Sequence, residues 1–247
     1  MMTHTIVLMH GFPMDGSMWR PQAEALRAAG HTVLTPSLPG FGGTAAWGKT
    51  QYSIEAMAEV VRDVVVREAN GRAVVGGFSM GGYVLLALLR DFPEVVKAAM
   101  FIDTRPEADT AEARETRLKS IETVTAQGTG PVVEGMLGRL LSKYAGEAVK
   151  AEARGIMEKQ SAEGVIGAQW AMSRRRDQTD LLGEIKVPSL VVVGDSDAIT
   201  PPSVAMHMHN RIEGSMLVQI AHAGHLANLE QPEAVNHAIK TFLATVK

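Results

Sequence analysis

The strongest constraint on this chain is the alternation of short apolar segments with longer amphipathic ones. The predicted strands are residues 5–9, 32–35, 73–78, 96–102, the segment SLVVVG after Pro188, and residues 215–220, and the predicted helices are residues 21–29, 53–69, 80–91 and 231–245. Strands that alternate with helices pair in parallel through right-handed crossovers. Because these strands are apolar almost throughout, helices are expected on both faces of the sheet. The sequence therefore predicts an α/β fold with a mostly parallel sheet.

The alternation is interrupted once, after Asp103. Residues 104–182 are polar and helix-prone and contain no convincing strand, and the strand pattern then resumes. A single interruption indicates an insertion into one domain, and a length of 247 residues suits one α/β domain. We therefore predict a core formed by residues 1–103 and 183–247, with a mostly helical insertion over one end of the sheet.

Composition excludes several classes of protein. The chain has no cysteine, which removes disulfides, thiolate metal sites and cysteine catalysis. With 24 basic and 27 acidic residues it has no basic surplus for binding nucleic acid. The N-terminal segment does not resemble a signal peptide, and no apolar run is long enough to span a membrane. A cytoplasmic protein without nucleic-acid or membrane partners is expected.

A glycine-flanked serine follows one predicted strand and precedes a predicted helix. Residues 77–81 read Gly-Phe-Ser-Met-Gly, which places Ser79 at a tight strand-to-helix turn. This is the context of a nucleophile elbow, in which glycines leave room where side chains would collide. The helix directs backbone N–H groups and its positive dipole end toward the hydroxyl. We predict Ser79 as the catalytic nucleophile.

A second glycine turn, HGFP at residues 10–13, directly follows the first predicted strand. Acyl transfer develops negative charge on a carbonyl oxygen, and each preorganised backbone N–H group stabilises that charge by about 3 kcal/mol. Gly11 permits a sharp turn, whereas Pro13 has no N–H to donate. The predicted oxyanion donors are therefore the backbone N–H groups of Phe12 and Met80.

Two aspartates near the end of the fifth predicted strand compete for the role of catalytic acid. Asp197 lies further past the strand than Asp195 and precedes a loop segment, residues 198–201, so it can project toward the site. Asp195 is expected to cap the turn instead. We predict Asp197 as the acid and keep Asp103, which follows the fourth predicted strand, as the reserve candidate.

Two histidines, His222 and His225, follow the last predicted strand. Imidazole is the side chain whose pKa lies near working pH, so one of them is the expected general base. His225 is favoured because the preceding glycine frees its backbone and a helix-prone segment follows, whereas His222 is expected to be a partly exposed loop residue. The order Ser79, Asp197, His225 is the chain order of α/β-hydrolases.

These motifs carry a family resemblance over essentially the whole chain. The segments HGFP, GFSMGG, GDSDAITPP and AGHLANLEQPE resemble those of α/β-hydrolase fold proteins, most closely small bacterial esterases, lactonases and carbon–carbon bond hydrolases with a helical cap. The resemblance implies that residues 104–182 form this cap. Relatives usually carry two further antiparallel strands before the HG turn, but only one strand fits before His10. We therefore expect a sheet of six strands rather than eight.

The triad predicts a serine hydrolase that cleaves a small or medium carboxylic ester or lactone through an acyl-enzyme. Trp170, Met136 and Leu140 are the predicted apolar lining of the substrate pocket. The cap's methionines and tryptophan can instead pack its helices together. No metal ion or other cofactor is expected, because the triad and two N–H donors supply nucleophile, base and charge stabilisation.

Three alternatives retain the same scaffold. Pro13, next to the aromatic residue of the oxyanion turn, matches relatives that make peracids and favours a perhydrolase or haloperoxidase-like activity. Carbon–carbon bond hydrolases are less similar, because their longer glycine-rich turn is absent here. A ligand-binding receptor with slow turnover is the third alternative, although an intact Ser79, Asp197 and His225 argues against it.

Overall fold

The computed structural model describes residues 3–247, in which one sheet contains six strands. The strands are β1 (Thr5–Met9), β2 (Thr32–Leu34), β3 (Ala73–Phe78), β4 (Val96–Ile102), β5 (Ser189–Gly194) and β6 (Met216–Ile220). Their order in the sheet is β2-β1-β3-β4-β5-β6, and every neighbouring pair is parallel. The predicted six-stranded α/β fold is confirmed.

Ten α-helices accompany the sheet in the described part of the chain. They are α1 (Arg20–Ala28), α2 (Ile54–Glu68), α3 (Met80–Asp91), α4 (Ala111–Gln127), α5 (Gly130–Leu140), α6 (Glu147–Met157), α7 (Ala162–Ser173), α8 (Pro202–Arg211), α9 (Ala227–Glu230) and α10 (Pro232–Leu243). The predicted helix bounds are correct to within two residues. Helix α8 was not predicted, whereas α9 lies within the segment after His225 that was described as helix-prone. Helix α10 starts separately at Pro232, since proline fits the first turn of a helix but cannot continue one.

The strands alternate their side chains between two apolar clusters, one on each face of the sheet. In β1, Val7 and Met9 pack with α2 and α3, whereas Ile6 and Leu8 pack with α1 and α10. This follows from the two-residue period of a strand. Because both faces are covered, β3 and β5 are buried along their whole length.

Four helices, α4 to α7, lie between β4 and β5 in the chain, and we call them the lid helices. Thr110 caps α4 by accepting a hydrogen bond from the Ala113 N–H, and Ser161 caps α7 in the same way from the Gly164 N–H. α4 packs against both α5 and α7. Across residues 3–247, no helix has the length and apolar character needed to cross a bilayer.

The sheet order changes direction at β1. The chain adds β2 on one side of β1 and then returns to place β3 on the other. In a parallel sheet the carboxyl ends of the strands share one edge, and the crevice at such a reversal is where ligands bind. The turns after β1 and β3 therefore meet at that edge, where the turns after β5 and β6 also emerge.

Candidate active site

Ser79 occupies the turn between β3 and α3 with a φ of 50° and a ψ of −112°. A Cβ on Gly77 would lie 2.2 Å from the Gly81 carbonyl oxygen, and one on Gly81 would lie 2.5 Å from the Met9 carbonyl oxygen. Only glycine therefore allows β1, β3 and the start of α3 to approach this closely. A positive φ is costly for serine, and such strain is retained where the surrounding structure holds it.

A continuous hydrogen-bond chain links Ser79, His225 and Asp197. The Ser79 hydroxyl lies 2.9 Å from Nε2 of His225, and Nδ1 of His225 lies 2.7 Å from Oδ2 of Asp197. With Nδ1–H donating to the carboxylate, Nε2 is free to accept the serine proton. The structure thus brings together the three residues predicted as the triad, and all three side chains are buried.

Asp197 is fixed by its own loop as well as by His225. Its Oδ1 accepts hydrogen bonds from the backbone N–H groups of Ile199 and Thr200, at 2.7 and 2.9 Å. The Thr200 hydroxyl donates to Oδ2 at 2.6 Å. Burial acts to raise the pKa of Asp197, but the hydrogen bonds from His225 and Thr200 outweigh burial and leave this pKa below its ordinary value. Asp197 therefore remains a carboxylate beside the imidazole.

The rejected candidates, Asp195 and His222, contact each other rather than the triad. Oδ2 of Asp195 accepts the His222 N–H at 3.0 Å, and Oδ1 accepts the Ser196 hydroxyl at 2.8 Å. The His222 ring packs against Tyr144, with ring centroids 4.6 Å apart. Asp195 therefore bonds to the loop that carries His222 as well as to its own turn through Ser196.

Asp103, the reserve acid, lies beside the triad without a hydrogen bond to His225. Its Oδ1 accepts the Gly194 N–H at 2.8 Å, and its Oδ2 has no hydrogen-bond partner among the described residues. Burial and the negative charge of Asp197 raise the pKa of Asp103 well above its ordinary value. The raised pKa favours the protonated form of Asp103, and its carboxyl group makes no hydrogen bond to His225, so Asp103 is less suited than Asp197 to stabilise an imidazolium.

The two predicted oxyanion donors are unpaired. In the described part of the chain, no group accepts a hydrogen bond from the backbone N–H of Phe12 or Met80. A Cβ on Gly11 would lie 2.5 Å from the Phe78 ring and 3.0 Å from Cβ of Ser79. The turn after β1 is therefore packed directly onto the serine turn, and each of these two turns carries one of the unpaired N–H groups.

His10 holds the turn that contains Phe12. Its Nε2 accepts the Leu38 N–H at 2.9 Å, so Nδ1 carries the proton and donates to the Gly11 carbonyl oxygen at 2.9 Å. The ring is fully buried, and this burial lowers the pKa of His10 to about 4. His10 is therefore neutral in the folded protein and acts as a structural hydrogen-bonding residue.

We expect this buried imidazole to make the fold acid-sensitive. An unfolded chain protonates His10 near pH 6.5, whereas the folded chain does so only near pH 4, so the folded state loses about 3 kcal/mol as the pH falls from 7 to 4. The His10→Gln variant offers an amide oxygen to the Leu38 N–H and cannot titrate. Urea denaturation at both pH values should show a loss in this variant about 3 kcal/mol smaller than in wild type. Equal losses would contradict the assignment.

Glu230 joins the histidine loop to the end of α5. Its Oε1 accepts the Gly224 N–H at 2.9 Å, and its Oε2 accepts the Ser142 N–H at 3.0 Å. The Leu226 N–H also donates to the Leu140 carbonyl oxygen at 3.0 Å. Leu226 is therefore bonded to the last residue of α5, and Gly224 is linked through Glu230 to Ser142, just past that helix.

A cavity of about 560 Å³ opens above the triad. Ser79, His225 and Phe12 form its floor, and α4, α5 and α7 supply most of the remaining wall. A volume of this size accommodates a small organic ligand. The cavity is therefore lined both by Ser79 and by the lid helices.

Of the three predicted pocket residues, Met136 lines this cavity and the other two do not. Trp170 and Leu140 are absent from the described residues of its wall. The Trp170 ring lies instead between the charged groups of Lys49 and Arg174, at 4.7 and 4.8 Å from its centroid. Leu140 is 1% exposed and packs in the apolar core. The prediction was wrong for these two residues, because apolar character also serves helix packing.

The sequence patterns did not indicate several polar residues of the cavity wall. They are Arg117, Lys119 and Gln169 on α4 and α7, together with Arg139 on α5. Helical spacing was the available signal, since Arg139 lies three residues after Met136 and therefore on the same face of α5. Among the described residues, no group of three or more histidines and carboxylates is placed to hold a metal ion.

Comparison with known proteins agrees with this geometry. A family model described as the alpha/beta hydrolase fold matches residues 4–232. A pimeloyl-acyl-carrier-protein methyl ester esterase of Neisseria meningitidis serogroup C is 28% identical to this chain and aligns with 98% of it and 94% of the relative.

Two solved structures are similar over nearly the whole chain. A thermophilic esterase from Thermogutta terrifontis, in a malate-bound form, has a TM-score of 0.94 and 36% identity, covering 98% of this chain and 90% of the other. An enol-lactonase from Burkholderia xenovorans has a TM-score of 0.88 and 26% identity, covering 99% and 92%. The chain is thus similar to ester- and lactone-cleaving proteins in sequence and in fold.

Proposed function

Because the chain belongs to the alpha/beta hydrolase fold family and is a hydrolase, we propose that it cleaves a small or medium carboxylic ester or lactone through an acyl-enzyme. The observation that carries this proposal is the hydrogen-bond chain Ser79–His225–Asp197 at the floor of the cavity. The esterase and lactonase names of the relatives support the substrate class.

The proposed mechanism uses only groups of this chain. Ser79 attacks the substrate carbonyl while His225 takes the hydroxyl proton and then gives it to the leaving alcohol. Asp197 keeps the imidazole in the productive tautomer and stabilises its charged form. The N–H groups of Phe12 and Met80 stabilise the oxyanion of the tetrahedral intermediate. Water then attacks the acyl-enzyme by the same route and releases the acid.

We assign the lid helices, within residues 104–182, as the cap that shapes the substrate site. They stand across the cavity from Ser79 and contribute wall residues from three helices. A cover at this position excludes bulk water and limits the size of the acyl group. The cap is therefore expected to select the substrate, whereas the core performs the chemistry.

The direct test is a screen of p-nitrophenyl and methyl esters and of lactones of graded size, with substrate-free and Ser79→Ala controls. Turnover that disappears in the alanine variant supports the proposal. Tight binding of the same compounds without turnover by the wild-type protein would favour a receptor instead. Turnover that is undiminished in the alanine variant would contradict the serine mechanism.

We expect Met136→Ala to change acyl-length selectivity. Removing a wall side chain enlarges the cavity, so the ratio of kcat/KM for hexanoate to acetate esters should rise roughly three- to tenfold. The matched control is Leu140→Ala on the same helix, which should lower stability by about 2–5 kcal/mol without changing that ratio. Kinetics with p-nitrophenyl esters, beside melting temperatures, measure both. An unchanged ratio in folded Met136→Ala protein would contradict a selective role.

A further inference from the structure

The charged residues in the cavity wall all carry a positive charge. Three cationic residues, Arg117, Lys119 and Arg139, contribute to the wall, and none of its described residues is an aspartate or a glutamate. The chain as a whole has a net charge of −3, so this excess is local. Like charges gathered in a concave site focus a positive potential on its contents. The wall that faces Ser79 is therefore suited to an anionic ligand.

Arg117 is held in place before any ligand binds. Its Nε donates to Oδ2 of Asp109 at 2.5 Å, and its Nη1 donates to Oε1 of Gln169 at 3.0 Å. Asp109 also pairs with Arg175, so one buried carboxylate serves two guanidinium groups. Together, Asp109, Arg117 and Arg175 carry a net charge of +1. A guanidinium has five N–H donors, and Arg117 keeps unused donors for a ligand.

Arg139 is the second cationic group and has no ion pair with a described acidic residue. It is exposed and lies on the α5 face that also presents Val132 and Met136 to the cavity. Lys119 differs, because it forms an exposed ion pair with Glu115 at 2.7 Å. Arg139 and Arg117 are therefore the cations best placed for a ligand in the cavity.

We propose that the substrate is an ester that carries an anionic group, a carboxylate or a phosphate, on the part of the molecule that lies against α4 and α5. Arg117 and Arg139 bind that group while the ester carbonyl lies at Ser79. Guanidinium groups suit both anions, because their parallel N–H donors match two oxygens at once. The inference rests on the proposed function and narrows its substrate class.

The test compares methyl esters that differ only at the end remote from the ester. Methyl hexanoate, monomethyl adipate and methyl 5-phosphonopentanoate have the same number of methylene groups and end in methyl, carboxylate and phosphonate. Methanol release gives kcat/KM for each. We expect one or both anionic esters to exceed methyl hexanoate by about tenfold at low ionic strength, the order expected for a hydrogen bond to a charged group. The better of the two identifies the anion.

Variants separate binding by Arg139 from the general field of the protein. Arg139→Gln should lower the ratio of anionic to neutral kcat/KM about tenfold, and Arg139→Glu should lower it further. Lys159→Glu is the control, since Lys159 is exposed on the lid segment outside the cavity wall. It makes the same charge reversal as Arg139→Glu and should leave the ratio unchanged. High salt should reduce the ratio in wild type, because salt screens exposed charges.

The outcomes distinguish this inference from the proposed function. Cleavage of methyl hexanoate with no preference for either anionic ester overturns the inference and leaves the esterase proposal intact. An equal fall of the ratio in Lys159→Glu overturns the assignment to Arg139. If no ester is cleaved, the esterase proposal fails. Calorimetric titration of wild type and Arg139→Gln with monomethyl adipate then tests whether Arg139 binds the anionic group. Equal affinities of the two proteins overturn the inference.

Discussion

Replacing Ser79 with alanine is expected to lower kcat for ester hydrolysis by about 10⁶. The substitution removes the nucleophile, and the two free N–H groups and the cavity alone leave only weak residual catalysis. Alanine accepts the serine backbone conformation about as well as serine does, so the melting temperature should change little. Rates with p-nitrophenyl acetate, beside thermal unfolding, measure both effects.

The matched control for this variant is Ser196→Ala. Ser196 lies in the loop after β5, and its hydroxyl donates to Asp195 rather than to the triad. Its alanine variant should retain activity. A phosphonofluoridate probe should label Ser79 in wild type and in Ser196→Ala, as intact-mass and peptide analysis would show. Labelling of a different serine would overturn the assignment of the nucleophile.

Replacing Asp197 with asparagine is expected to lower kcat by about 10⁴, a loss seen for this change in another serine triad. Two backbone N–H groups point at the Oδ1 position, so the amide oxygen must lie there. The amide NH2 then faces Nδ1 of His225, which has to accept a hydrogen bond and place its proton on Nε2. In that tautomer the imidazole cannot take the proton of Ser79.

Two neighbouring aspartates are the controls for this prediction. Asp195→Asn should retain activity within about tenfold, because Asp195 acts as a cap in the histidine loop. Asp103→Asn should do the same, since Asp103 makes no hydrogen bond to His225 and an amide oxygen can still accept the Gly194 N–H. Steady-state kinetics of the three variants at pH 8 would decide among them. A much larger loss in either control than in Asp197→Asn would mean that the acid is misassigned.

The six-stranded sheet was predicted correctly, and the structure brings the three proposed triad residues together; both depend on local patterns. Each proposed catalytic residue follows a strand whose apolar run defines its end, and the carboxyl ends of parallel strands meet at one edge. The glycines on either side of Ser79 mark a close approach that no other residue allows. Such signals are contained within a few consecutive residues, so they can be read before the fold is known.

The lid was harder to predict, because it depends on how helices are rotated against one another. Leu140 and Arg139 are neighbours in α5, but consecutive residues of a helix point in different directions. The leucine lies in the core and the arginine at the cavity. Apolar character alone favoured the leucine. The pairing of Asp109 with Arg117 and Arg175 joins parts of the chain that no short motif connects.

The bond between Glu230 and both Gly224 and Ser142 has a consequence for motion. One carboxylate receives the N–H beside the proposed catalytic base and the N–H that follows α5, so neither segment can be displaced without straining the other. The C-terminal end of α5 is therefore tethered to the loop that carries His225. We expect the lid helices to open at the opposite end of α5, at the turn between α4 and α5. Substrate can then enter while the hydrogen bonds among Ser79, His225 and Asp197 are kept.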